Sequence, residues 1–443
     1  MAVHRTQRSI RLVLGILLTG VACGTAGGTS APGGAKPKRH GEGLIASAEP
    51  DWPQWRGPRR DGICDEKNLL PRWPAGGPKL LWKVGELGKG WSCPIICRDA
   101  LYITGDVGRQ CVVFAFGLDG KPKWRTPNGE AWMRSYRGAR ACCLYDDGRL
   151  YHMNAHGRVA CLDPADGSEI WSVNVLQRFA GRSIKWGLSE CLLADGDELI
   201  VTPGGRKAML AALDKKTGRT AWATRPLGKE TASYASPILF GYGGRRHIVT
   251  CSSSRAFGVD ADTGKIQWSR PRPTRYRAIA TTPMYHDGHV LVASPDGKTA
   301  EMFRLIVEGG RTRAEQAWQS PMMDMSGCFT VVEGRIHGSG YHRTFPGWAA
   351  IDRKTGKVLY RMRDLERGAH LWADGLLYCV SQGGDAVLLA STVDGFETRG
   401  RFRLVQRKCR DLWAHPVIHD GRLYLRYHDT LWCFDVRSEA ASR

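Results

Sequence analysis

Apolar and polar residues alternate along this chain in short runs, and each run is broken by a glycine turn. The last copy shows the pattern: Ala414-His415-Pro416-Val417-Ile418-His419-Asp420-Gly421-Arg422-Leu423-Tyr424. An apolar pair, Asp-Gly, and an apolar-aromatic pair with period 2 predict a β-hairpin with a tight turn. Similar phrases begin near Ser92, Arg140, Glu190, Ser236, Thr282, Cys328 and Ala369, which makes eight. A second phrase, Asp-x-x-x-Gly-x-x-x-Trp, follows each of them. It is clearest in Asp214–Trp222 and Asp260–Trp268, with relatives at Asp119–Trp124, Asp163–Trp171 and Asp352–Tyr360 and a degenerate copy ending at Trp318. The aromatic positions recur every 42 to 51 residues.

A repeat of that length, with strands on both sides of a Gly turn, predicts the blades of an all-β propeller. The eighth repeat runs out of chain after Leu431–Arg437 and lacks a fourth strand. Lys79-Leu80-Leu81-Trp82-Lys83-Val84 supplies one, with Trp82 where other blades carry their hairpin Trp. An N-terminal strand closing the ring removes two open sheet edges. The expected architecture is therefore an eight-bladed β-propeller. In the hairpins Gly supplies positive φ, Asp bonds turn amides, and Trp offers a flat face to the neighbouring blade.

The blade phrase Ala212-Leu213-Asp214-Lys215-Lys216-Thr217-Gly218-Arg219-Thr220-Ala221-Trp222 resembles the repeat of quinoprotein dehydrogenases, the pyrroloquinoline quinone (PQQ) repeat. The opening Asp51-Trp52-Pro53-Gln54-Trp55-Arg56-Gly57-Pro58 is similar to the start of exported bacterial PQQ-like propeller proteins. So are Trp186-Gly187-Leu188-Ser189-Glu190 and Tyr234-Ala235-Ser236-Pro237. The resemblance covers residues 51–437 and implies the quinoprotein-type propeller. It is shared by PQQ alcohol dehydrogenases and by non-catalytic outer-membrane assembly lipoproteins of the BamB type, so fold kinship does not choose an activity.

Outside the repeats the chain changes character. Arg5, Arg8 and Arg11 precede the apolar run Leu12–Leu18 and then small residues, the order of a secretory signal over residues 1–26. Cys23 is a candidate lipidation site, giving peripheral attachment to a membrane, although Gly20-Val21-Ala22 lacks the leucine usual before such a cysteine. Residues 27–49, rich in Gly, Ala, Ser, Pro and Lys, read as a flexible tether. The propeller occupies 50–437, and 438–443 are a tail. The expected location is the periplasm or cell envelope, and the expected state is a monomer.

The net charge of +21 lies partly in the leader and tether and partly on the propeller, as in Arg270–Arg277 and Arg399–Arg410. Such a surface suits an anionic surface or an envelope protein as partner. No nucleic-acid motif is present, and none is expected in an exported chain. The 14 cysteines include no Cys-x-x-Cys and no haem-attaching Cys-x-x-Cys-His.

The resemblance implies what an enzyme of this kind would need: calcium held by hard oxygen ligands, a carboxylate base, and a flat floor for the quinone at one mouth of the axial channel. Aligning the inner strands gives a column of small residues: Cys93, Cys142, Cys191, Ser236, Thr282, Cys328, Ala369 and His415. Inner strands crowd at the axis, so these read as fillers, with a thiol-lined metal or redox centre as the alternative. Adjacent Cys142 and Cys143 could close a vicinal disulfide, as some quinoprotein dehydrogenases do against the cofactor. Arg140 stands beside them. Glu190 is a candidate metal ligand or base, or else the partner of Arg140 or Lys185 in an ion pair. Asp324 and His370 are candidates of the same kind. The spaced Glu, Asn and Asp set of the dehydrogenases is not found, nor is a hydrolase nucleophile-base pair. The expected function is a binding or scaffold protein of the cell envelope, BamB-like, with a PQQ- and Ca²⁺-dependent alcohol dehydrogenase as the alternative.

Overall fold

The structure, a computed structural model, describes residues 41–293, 299–322, 329–340 and 345–438. Eight antiparallel sheets follow one another around a ring. We number the blades by their inner strands: 1 (Ile95–Cys97), 2 (Leu144–Asp146), 3 (Leu193–Asp195), 4 (Ile238–Tyr242), 5 (Met284–His286), 6 (Thr330–Val332), 7 (Gly368–Ala373) and 8 (Val417–His419). The one helix among the described residues is a single turn, Val175–Arg178. Asp-Gly pairs form the first hairpin turn of blades 2, 5, 7 and 8, and Glu333-Gly334 and Gly243-Gly244 take the same place in blades 6 and 4. Asp147 and Gly148 have φ of 50° and 67°, and Asp420 and Gly421 have 50° and 63°. Two successive positive φ values define the turn whose twist matches paired strands, and Asp and Gly tolerate it.

Ring closure is as the sequence predicts. Lys79–Val84 is the outer strand of blade 8 and pairs antiparallel with Thr430–Asp435, Lys79 opposite Asp435 and Val84 opposite Leu431. The added strand covers the edge of Thr430–Asp435 and gives blade 8 the four strands of its neighbours.

The hairpin tryptophans join one blade to the next. Indole Nε1 of Trp82 donates to Leu118 O at 3.0 Å, Trp124 to Pro164 O at 2.9 Å, Trp171 to Lys215 O at 2.9 Å, and Trp318 to Arg353 O at 3.0 Å. Each of these rings also covers the turn glycine of the following blade: Gly120, Gly167, Gly218 and Gly356. Trp222 covers Gly264 but donates to the Glu198 carboxylate of its own blade instead.

Successive strands alternate direction, so the first hairpin turns of all blades share one face, called lower here. The loops that enter the inner strands lie on the upper face. The N-terminal segment is wound across the lower face. Gly43–Leu44 adds an antiparallel strand to blade 4, and Ile63–Cys64 adds a parallel strand to blade 7. Trp52 bridges to Ile96 of blade 1, and Pro53 O accepts from Tyr145 N of blade 2. Carboxylates of this segment cap the amides of the hairpin turns: Glu42 on Gly243, Glu49 on Asp147, Asp51 on Arg98, and Glu66 on Asp420 and Gly421. The tether expected to run to residue 49 is thus bonded to the ring from Glu42 onward, because its carboxylates find unpaired turn amides there.

Two buried arginines fix this plug. Arg60 donates to Cys191 O and Leu192 O of blade 3, both at 2.8 Å. Arg56 donates to Phe329 O, which precedes the inner strand of blade 6, at 2.7 Å. Carbonyls at the inner strand ends are acceptors without sheet partners, and guanidinium donors fill that need without opening the core to water.

Candidate functional site at the upper axial mouth

The inner-strand column forms a ladder between blades. Cys142 N donates to Cys191 Sγ at 3.3 Å, Cys191 N to Ser236 Oγ at 2.9 Å, and Ser236 N to Thr282 Oγ1 at 3.0 Å. The small side chains are therefore more than fillers. Cys191, Ser236 and Thr282 each accept the backbone amide of the preceding blade, which has no partner within its own sheet. The sulfurs of Cys93 and Cys142 are 3.2 Å apart. Cys328, at the next position, and Asp324 lie outside the described residues.

Glu190 is 2% exposed. One carboxyl oxygen accepts Thr202 N at 2.9 Å, and the other has no hydrogen-bond partner. Burial pushes its pKa up to about 7, against the lowering effect of the Thr202 bonds and the Arg60 charge. The ion pair expected with Arg140 or Lys185 is not formed. Arg140 points away, donating to Gly138 O and Tyr136 O, and its guanidinium lies 5.1 Å from the Trp91 ring centre and 5.4 Å from that of Trp132. Burial lowers the Arg140 pKa to about 10. Cys142 and Cys143 are both free thiols, so the vicinal disulfide is absent from this structure. Cys142 belongs to the axial ladder, and Cys143 packs in the apolar core. His370 is fully buried, and desolvation holds it well below the usual histidine range.

The upper mouth itself is aromatic and basic. Trp91 and Trp413 stack at 5.3 Å, and Tyr136 joins Trp413 at 5.8 Å and Trp186 at 6.3 Å. Trp186 touches Tyr234 and Tyr276. Lys185 Nζ lies 5.0 Å from both the Trp186 and Tyr276 ring centres, and Arg275 is 5.3 Å from Tyr276. These rings come from loops of six consecutive blade positions, blade 8 through blade 5. Tyr136 is 55% exposed and Tyr276 46%. Among the described residues Arg134, Arg137, Lys185 and Arg275 have no carboxylate within ion-pair distance. Clustered, unneutralised cations over exposed aromatic faces attract anionic groups and stack planar or apolar ones.

Sequence reasoning did not single out this belt. The signal was available: an aromatic residue stands two to six positions before the column residue in each of these loops, as in Trp91 before Cys93 and Tyr276 before Thr282. It also passed over the spacing His152-Met-Asn-Ala-His156. The structure separates these two rings: His152 Nδ1 meets Asn128 Nδ2 of blade 1 at 2.8 Å, buried between blades 1 and 2, whereas His156 packs on Trp132 at the upper rim.

The described residues do not fit the calcium that a PQQ site would need. No group of three or more His, Cys, Asp or Glu among them converges on one point. Glu190 has no second carboxylate beside it, and the axial donors nearest to it are thiols and hydroxyls, a soft set where calcium requires several hard oxygens.

The family profile described as outer membrane protein assembly factor BamB matches residues 109–358, more than half of the chain. BamB of Salmonella typhimurium is 24% identical over 289 residues, which cover 62% of this chain and 69% of that protein. Quinohemoprotein alcohol dehydrogenase ADH IIB of Pseudomonas putida is 31% identical over 253 residues, 52% of this chain. The match spans only 35% of that dehydrogenase's length. Among solved structures, BamB of Moraxella catarrhalis superposes with a TM-score of 0.57 at 17% identity, covering 80% of this chain and 97% of that one. Quinohemoprotein alcohol dehydrogenase of Comamonas testosteroni gives 0.63 at 12% identity, covering 88% and 81%. These two structures establish the fold alone. With the profile match running from blade 1 into blade 6 and the closed ring of eight, the chain belongs to the BamB-type family of PQQ-like β-propellers.

Proposed function

We propose that this chain is an exported binding or scaffold protein of the cell envelope that receives an acidic, aromatic-bearing segment of an envelope protein on its upper axial mouth. The observation that carries the reading is the belt from Trp413 to Tyr276, with half-exposed rings and cations that no carboxylate among the described residues pairs with. Interfaces of this kind draw their energy from aromatic and arginine anchors and their encounter rate from charge. The family relationship supports a binding role. The rigid ring with variable upper loops supports it too, since recognition is commonly built on loops held by a stiff scaffold.

The test is a photo-crosslinking residue placed at Tyr276 or Met133 on the mouth, or at Val393 on the lower rim, in cells exporting the protein. A discrete protein adduct from the mouth positions and none from Val393 supports the reading. Equal or absent adducts at all three positions overturn it. The alternative, a PQQ-dependent alcohol dehydrogenase, is favoured by the 31% identity with ADH IIB. Reconstitution with PQQ and Ca²⁺ followed by an alcohol-dye assay decides it: stoichiometric PQQ binding with turnover would replace the scaffold reading.

A further inference from the structure

Among the described thiols, Cys93 and Cys142 are placed unlike the rest. They sit at equivalent positions just before the inner strands of blades 1 and 2, 1% and 2% exposed, with their sulfurs 3.2 Å apart. A disulfide has an S–S distance of about 2.05 Å, so roughly 1 Å of closure joins them. Their surroundings hold the pair in place. Arg426, fully buried, donates to Ser92 O at 2.9 Å and to Ser92 Oγ at 2.5 Å, which anchors the residue before Cys93. Thr104 Oγ1 bonds both Ser92 Oγ and Ala141 O, each at 2.9 Å, which ties the residue before Cys93 to the residue before Cys142. The two strands therefore meet in fixed register at the point where the sulfurs touch.

We propose that Cys93 and Cys142 form an inter-blade disulfide at the propeller axis. The step is a thiol-disulfide exchange. The thiolate of one cysteine attacks a sulfur of an external disulfide, either a protein disulfide oxidoreductase or oxidised glutathione, and a mixed disulfide results. The second cysteine, as thiolate, displaces the external thiol. The two cysteines together lose two electrons and two protons, and the external disulfide is reduced to two thiols. In the finished ring burial holds the Cys142 thiol well above its ordinary pKa and excludes a reagent. Exchange therefore belongs to the folding chain, before the segment around Arg56 and Arg60 closes the lower face. Once made, the link holds blades 1 and 2 together beneath the mouth loops that carry Trp91 and Arg140, and its burial protects it from reductants. The export reading bears only on the source of the oxidant in the cell, and the test is independent of it.

The full chain is unfolded, reduced, and refolded in a glutathione redox buffer. It is then denatured in iodoacetamide without reductant, digested, and analysed by mass spectrometry. The expected result is one cross-linked peptide pair joining Cys93 to Cys142, with both sites unalkylated. Cys191→Ser should retain this pair. Cys93→Ser, which places at that position the residue blade 4 uses at Ser236, should fold and lose it. The melting temperature of the oxidised protein should exceed that of the reduced protein by roughly 5 °C, and the gap should vanish in Cys93→Ser. Full alkylation of Cys93 and Cys142 after oxidative refolding overturns the proposal. So does a link from Cys142 to Cys143 or to Cys191.

Discussion

Trp171 of blade 2 lies flat against Gly218 of blade 3, so closely that a Cβ on the glycine would stand 2.6 Å from the ring. The same indole donates to Lys215 O, three residues upstream in the same turn. Ring and turn form one joint, and the joint recurs at Trp82 with Gly120, Trp124 with Gly167, and Trp318 with Gly356.

Gly218→Ala should therefore be costly for two reasons. The residue has φ +67°, and the added methyl meets the ring. Strain of about 1 kcal/mol and overpacking of about 1–3 kcal/mol predict a loss of roughly 2–4 kcal/mol. Chemical denaturation checks it. Gly148→Ala, at similar φ but with open space around its Cβ, should lose only the strain part.

Trp222→Ala removes a half-buried indole that covers Gly264 and bonds the Glu198 carboxylate at 2.7 Å. The expected loss is about 3 kcal/mol, near the low end for large-to-small aromatic changes because the ring is not fully enclosed. Unchanged melting with lost crosslinking at the mouth would show that the tryptophan has a binding role instead.

Arg60→Ala should destabilise the ring by about 2–4 kcal/mol, since it leaves the buried carbonyls of Cys191 and Leu192 without their donor. Hydrogen exchange should then rise in residues 42–69 and at the inner strand of blade 3, while the outer strands stay protected.

Glu190 makes stability depend on pH. Its folded pKa of about 7 lies above the ordinary 4.5, so the folded state holds the proton more tightly than the unfolded chain does. Stability from this group is full below pH 4.5 and is lost as pH rises from 4.5 to 7, by about 3 kcal/mol at most. Glu190→Gln keeps an acceptor for Thr202 N and cannot ionise. The difference in unfolding free energy between variant and parent should therefore grow in favour of the variant across that window and level off above it.

Lys185→Glu and Arg275→Glu reverse cations that stand over Tyr276. Each should weaken capture of an acidic partner at the mouth by roughly five- to tenfold at low salt, with a shallower salt dependence. Crosslinking yield from Met133 gives the readout, and folding should be unaffected because both side chains are exposed.

The period of the Asp-Gly and Gly-Trp phrases was enough to give eight blades and a ring closed by Lys79–Val84, because strand alternation and tight turns are set by residues close in sequence. The small-residue column was legible for the same reason, but its role was not. That Cys191 and Ser236 accept amides from the preceding blade depends on how far apart the inner strands stand. Glu190 looked like half of an ion pair because Lys185 shortly precedes it and Arg140 opens the preceding blade's phrase as Glu190 opens its own. The fold turns Arg140 toward Trp91 and Trp132 and leaves Glu190 sealed beside Thr202.

The plug and the mouth were beyond local reading. Residues 42–69 carry no strand period, and what orders them is a set of turn amides and carbonyls that exists only after the ring has closed. The aromatic belt draws Trp413, Trp91, Tyr136, Trp186 and Tyr276 from loops far apart in the chain. The blades, their number and their seam are legible in the chain because hydrogen-bonded hairpins and glycine turns are local. Which side chains face the axis, which charges are buried and which rings meet at the mouth depend on distances between strands that the ring alone brings together.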